Sequence, residues 1–132
     1  MASWDDVRRI ALGLPETSER SSRDLSQWRV GGKLFVWERP LRRKEIEALA
    51  PDAGAMAGGP ILGARVEHLV AKEALLASDP TVFFTTAHFD GYAAVLVRLE
   101  RIGERDLREV IVEAWLARAP RALAQAYAEE FL

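Results

Sequence analysis

Residues 24–39, DLSQWRVGGKLFVWER, set two runs of strand-forming residues on either side of Gly31-Gly32. Both glycines can take the positive φ that a two-residue hairpin turn requires, so the segment predicts an antiparallel pair. In that register Val30 lies opposite Lys33, Arg29 opposite Leu34, Trp28 opposite Phe35 and Ser26 opposite Trp37. Side chains opposite one another share a face. One face then carries Trp28, Val30, Lys33, Phe35 and Trp37, and the other Leu25, Gln27, Arg29, Leu34, Val36 and Glu38. The aromatic face has the larger apolar load and is expected to pack on helices. Left open, with Arg29 and Lys33 nearby, it would stack a base or another flat ligand.

The other elements arrange themselves around this hairpin. Ser3 and Asp6 resemble a capping box, and Trp4, Val7, Ile10 and Ala11 recur at helical spacing until Gly13 and Pro15 end the pattern. A short helical piece (Leu41, Ile46, Leu49) leads into an Ala/Gly/Pro loop, residues 51–60, expected to be mobile. Ile61–Val66 reads as a strand, and VAKEALLASDP as a helix with Leu69, Val70, Leu75 and Leu76 apolar, stopped before Pro80. TVFFTT and YAAVLVRL predict two more strands joined by AHFDG, a five-residue loop. In ERDLREVIVEAWLAR, Leu107, Val110, Ile111, Ala114 and Trp115 give the strongest helical pattern, and Pro120 opens a last helix with Leu123, Tyr127 and Phe131 four apart. The order predicts an α+β fold: a single antiparallel β-sheet with helices packed on it. At 132 residues, one domain spanning 1–132 with one core is expected.

Composition removes several function classes. No run of 18 apolar residues occurs and the start, MASWDDVRR, lacks a basic segment with an apolar core, so neither a membrane span nor a secretory signal is expected. Without cysteine there are no disulfides, no thiolate catalysis and no thiolate metal site, which fits a cytoplasmic protein. The net charge of −2 conceals an asymmetry. Between residues 20 and 44, eight basic residues (Arg20, Arg23, Arg29, Lys33, Arg39, Arg42, Arg43, Lys44) face only Asp24 and Glu38, a balance of +6, so the remainder carries −8. A band of this kind keeps nucleic acid among the partners, because phosphate affinity depends on clustered cations and not on the whole-chain sum.

Thr85, Thr86, His88 and Asp90 form the one cluster with catalytic residue types. A threonine nucleophile needs a base in reach and a group orienting that base. No nucleophile elbow supplies an oxyanion hole here. A metal would have to recruit His68, His88 and carboxylates such as Glu67 or Asp90, at none of the usual zinc spacings. No phosphate-cradling glycine loop follows a strand. The simpler expectation is that Asp90-Gly91 closes the bend and Phe89 folds back on the core. His88 then caps a backbone group or, with Trp37, Thr86, Tyr92 and Arg98, lines a polar pocket for a small anion or a partner's backbone. No catalytic residue, metal or cofactor is expected.

LGLPE at 12–16, WRVGGKLFVW at 28–37, GPILGARV at 59–66, KEALLASDPTVFFTTAHFDGYAAVLVRL at 72–99 and the Ala-Trp and Ala-Pro pairs within 114–120 resemble the MmcQ/YjbR-like family of small bacterial proteins. The resemblance implies a secretion-chaperone-like architecture and no catalytic residue set. It also implies DNA binding through paired hairpins acting as two wings. Carried over, the first wing turns at Gly31-Gly32 beside Arg29 and Lys33, and the second at Ala87–Gly91 with His88 at its tip and Arg98 on its strand. Arg39, Arg42, Arg43 and Lys44 extend the basic band. The second wing has no lysine or arginine at its tip, and Asp90 would repel phosphate. The expectation is therefore a small non-enzymatic cytoplasmic protein that binds DNA. Alternatives are a protein-interaction module using sheet edges and the 51–60 loop, or an enzyme using His88.

Overall fold

A computed structural model describes residues 2–49 and 59–132. The elements run α1 (Trp4–Leu12), β1 (Thr17–Ser22), β2 (Leu25–Val30), β3 (Lys33–Glu38), α2 (Arg43–Leu49), β4 (Ile61–Arg65), α3 (Leu69–Ser78), β5 (Phe83–Phe84), β6 (Ala94–Arg98), α4 (Glu104–Arg118) and α5 (Arg121–Phe131). The strands form one sheet in the order β1-β2-β3-β4-β6-β5, every pair antiparallel. This is the α+β, single-sheet architecture that the sequence predicts. Most of the expected loop, residues 51–58, lies outside the described residues.

Helices α1 and α4 cover one face. The capping box forms as predicted, with Ser3 Oγ accepting from the Asp6 amide and the Asp6 carboxylate accepting from the Ser3 amide. The buried stripes Val7, Ile10 and Ala11 of α1 and Leu107, Val110, Ile111, Ala114 and Trp115 of α4 meet Trp28, Val30, Phe35, Val36, Leu62, Ala64, Val95 and Val97 of the sheet. Trp4 stacks on Trp28 with ring centres 6.4 Å apart. Burial of these large side chains at roughly 1.5–3 kcal/mol each is the main source of stability.

One strand has no sequence signal, and one expectation fails locally. The strand β1, TSERSS, has no apolar alternation to announce it; it forms because each residue pairs with β2, after a turn in which Arg23 and Asp24 both hold positive φ. Turns of this kind favour glycine or asparagine, so the pair Arg23-Asp24 gives a weak signal. In the β2–β3 hairpin, Val30–Lys33 and Arg29–Leu34 pair as predicted, but the register then shifts so that Trp28 faces Val36 and Gln27 faces Trp37. Phe35 is the extra residue of a bulge, which reverses the alternation beyond it. The bulge buries both Phe35 and Val36 on the helix side and carries Trp37 to the opposite face, so the three aromatics do not share one surface.

That opposite face divides in two. Over β4, β6 and β5 it is covered by a smaller cluster of Ile61, Phe84, Phe89, Ala94 and Leu96, with Trp37 and Leu41 packed against it. Over β1–β3 it is open, with Ser18, Arg20 and Ser22 exposed and Gln27, Arg29 and Leu34 half-buried. The functional groups gather along this division.

Candidate functional site

The segment expected to be a second wing is not a ribbon. Only Phe83 and Phe84 pair with β6, and the connection after them tightens into a 3₁₀ turn at Ala87–Phe89, closed by the Phe89 amide on Thr86 O at 2.9 Å. Phe89 does fold back into the core, and Gly91 takes φ 74°, as the residue types predict. What fixes the segment is Lys72, a buried side chain of α3 whose Nζ donates to Phe89 O at 2.6 Å and Tyr92 O at 2.9 Å. Desolvation pulls its ammonium below the ordinary lysine range, opposed by the charge of Asp90. The sequence carries a signal for it, since Lys72 stands three and four residues from Leu69, Leu75 and Leu76, in the apolar stripe. Replacing Lys72 with alanine should destabilise the fold by about 2 kcal/mol. In that variant hydrogen exchange should accelerate at the amides of Phe89 and Tyr92 while the β1–β2 ladder keeps its protection.

A second anchor lies at Glu45 on α2. Arg39 grips its carboxylate with two nitrogens, at 3.0 and 2.9 Å, the Arg42 amide donates at 2.9 Å and the Thr86 hydroxyl at 3.0 Å. Burial pushes the Glu45 carboxyl up, but the hydrogen bonds from Arg39, the Arg42 amide and Thr86 outweigh it and hold the group below the usual carboxylate range. Thr86 thus donates its proton to Glu45 and not to His88. Arg39, expected to contact phosphate, is instead largely neutralised by this pair.

Between these anchors runs a groove of about 340 Å³, floored by Leu34 and Trp37 and walled by Phe89 and Tyr92. His88 stands edge-on to Phe89, ring centres 5.0 Å apart, and borders this groove as well as a second cavity lined by Arg42, Arg43, Lys44 and Thr86. Of the expected pocket, Trp37, His88 and Tyr92 come together, while Thr86 faces the neighbouring cavity. Arg98 belongs to neither. It is buried, sits 4.0 Å from the Phe84 ring centre and reaches Pro80 O at 3.4 Å, so it is no phosphate contact. Burial first, and Arg101 second, pull its guanidinium below the ordinary range.

Two of the groove's cations lie outside the residues that the sequence pattern singles out. Arg65 lies over Tyr92, 4.5 Å from the ring centre, and Arg118, the last residue of α4, closes the same cavity. The Nε atoms of Arg29, Arg65 and Arg118 are buried without a partner, and these are the unpaired buried side-chain atoms among the described residues. Strand pairing sets Arg20 beside Gln27 and Arg29 beside Leu34 on the open face, the face of Trp37 and Arg65, whereas Glu19 and Glu38 alternate to the helix side. The basic band itself does not form one surface. Arg23 and Lys33 lie at opposite ends of β2, Arg29 on the open face, and Arg42 to Lys44 beside the second cavity.

His68, a candidate ligand, caps α3 by accepting the Ala71 amide at Nδ1, 3.0 Å. Among the described residues no group of three or more histidines and carboxylates is placed to hold a metal ion. No described helix is long and apolar enough to cross a membrane. Of the two sheet edges, β1 is lined with Ser, Glu and Arg, which discourages strand addition, and β5 is two residues long.

The pattern of the YjbR family matches residues 12–117. Uncharacterized proteins of Mycobacterium bovis and Mycobacterium tuberculosis are 54% identical to this chain over 127 residues, covering 96% of it and 96% of their own length. A crystal structure of a Deinococcus radiodurans protein with a DUF419 domain superposes with a TM-score of 0.67 at 18% identity, over 98% of this chain and 88% of the other. That likeness speaks for the fold, the first for descent. With the family pattern running through most of its length, this chain belongs to the YjbR family.

Proposed function

We propose that the chain is a non-catalytic cytoplasmic protein that binds DNA with the open face of its sheet, not with the tips of two wings. The observation that carries this reading is the alternation of charge. Arg20, Arg29 and Arg65 share the open face, Arg118 joins them from α4, and the strand carboxylates Glu19 and Glu38 lie on the other side. Cations segregated in this way follow a phosphate backbone, and an exposed aromatic residue beside them, Tyr92, favours single strands, whose bases are free to stack. The absence of catalysis is inferred from the engagement of Thr86 by Glu45, which leaves His88 no hydroxyl to activate. The cytoplasmic setting rests on the cysteine-free composition.

Fluorescence anisotropy with a labelled single-stranded oligonucleotide tests the reading. Affinity should fall with salt at a log–log slope of roughly −3 for four phosphate contacts. Arg20→Ala should make that slope shallower by about 0.7, whereas Lys33→Ala, at the hairpin tip, should leave it unchanged. Absence of binding at low salt, or sensitivity to Lys33 and not to Arg20, would overturn the sheet-face assignment.

A further inference from the structure

Arg65 and Arg118 are far apart in the chain yet line one cavity, and Arg29 stands beside it. Arg29 pairs across from Leu34 on β2, and Arg65 and Arg118 share a cavity with it. Arg29 is held aside from that cavity, with Nη1 donating to Gly32 O at 3.0 Å and Nη2 to Gln27 Oε1 at 3.1 Å. Arg65 and Arg118 make no hydrogen bond or ion pair with any described residue through any of their nitrogens. A buried donor without a partner is costly, and two such donors on like charges lining one cavity are costlier still. Elsewhere among the described residues, the nearly enclosed guanidinium of Arg39 has its carboxylate. The arrangement is that of a site prepared for an anion.

We propose that Arg65 and Arg118 hold a terminal phosphate, a phosphomonoester, with its attached flat ring lying in the groove between Trp37 and Tyr92. A phosphomonoester carries nearly two negative charges at neutral pH and three strong acceptor oxygens, which suits two unpaired guanidinium groups better than the single charge of a phosphodiester or a carboxylate. The cavity of about 340 Å³ falls within the range of small-ligand sites, and its walls are aromatic where a ring would lie. The proposal deepens the nucleic-acid reading and rests on it for the source of the phosphate, a strand end as opposed to a free nucleotide.

Calorimetric titration with adenosine 5′-monophosphate, adenosine and inorganic phosphate separates the chemistry. Anisotropy with one oligonucleotide carrying either a 5′-phosphate or a 5′-hydroxyl separates the source. The monophosphate should bind at least tenfold tighter than adenosine. Arg118→Ala should abolish that difference while its melting temperature without ligand stays level or rises, because an unpaired buried donor is removed. Arg118→Gln provides the same readout with the charge removed and a polar side chain kept. A 5′-phosphate preference of tenfold or more assigns the source to strand ends. Binding of the monophosphate with no DNA binding keeps the site, assigns it to free nucleotides and overturns the DNA reading. DNA binding indifferent to the 5′ group, together with equal weak binding of monophosphate and adenosine, overturns the site and leaves the sheet-face reading standing.

Discussion

Gly63→Ala is expected to destabilise the protein by about 2 kcal/mol and to tilt Trp37 out of the groove floor. A methyl group on Gly63 would stand 2.3 Å from Trp37 Cε2 and 2.6 Å from Cζ2 and Nε1, far inside van der Waals contact. The indole is not free to retreat, because Phe89 packs against it with ring centres 6.4 Å apart and is itself fixed by Lys72. The strain therefore passes into the groove, and chemical denaturation should show a lowered midpoint with an unchanged slope. The cost should nearly vanish when the same change is made in a Trp37→Ala background, a coupling that a double-mutant cycle measures directly. An additive pair would mean that Gly63 matters for its backbone and not for the ring above it.

The same pair explains why the site is less legible in the sequence than the fold. The helix stripe of α4 and the Gly-Gly turn are local patterns, and local patterns survive into the structure because each residue's neighbours at i+3 and i+4, or across a tight turn, are fixed by the backbone alone. Trp37 is different. Its face depends on whether Phe35 is absorbed into a bulge, and that is decided by how α4 buries Phe35 and Val36 together. The strand β1 is hidden for a related reason, since Ser and Glu carry no strand preference of their own and the pairing with β2 supplies it. Arg65 and Arg118 have no signal in common, one ending an apolar strand and the other ending a helix, and only the topology brings them into one cavity. Lys72 is legible, as a lysine in an apolar stripe. The basic band of residues 20–44 does mark the neighbourhood of the open face through Arg20 and Arg29, but it disperses where the chain turns back on itself.

Glu45→Gln should separate stability from anion binding by moving them in opposite directions. The carboxylate and Arg39 are nearly enclosed, with side chains 11% and 12% exposed, so removing the negative partner leaves a buried cation without compensation, a loss of about 3 kcal/mol at neutral pH. The pH dependence comes from the depressed carboxyl of Glu45. A group that binds its proton more weakly in the folded state stabilises the fold above its unfolded pKa, about 4.3 for glutamate, and that contribution fades as pH falls through the folded value. Urea titrations between pH 3 and 7 should therefore show the wild-type advantage over Glu45→Gln shrinking toward acid, with a residual acid sensitivity common to both from Asp6, whose carboxyl is held down by the Ser3 amide and then by Arg9. In the same variant Arg39, which borders the groove, loses its neutralising partner. The local positive potential rises, and adenosine 5′-monophosphate should bind several-fold more tightly at low salt, a gain that disappears as ionic strength screens it. A weaker fold with a stronger groove is the outcome if Glu45 restrains Arg39 from the anion site; loss of both would mean that the carboxylate serves only to hold the 3₁₀ turn through Thr86.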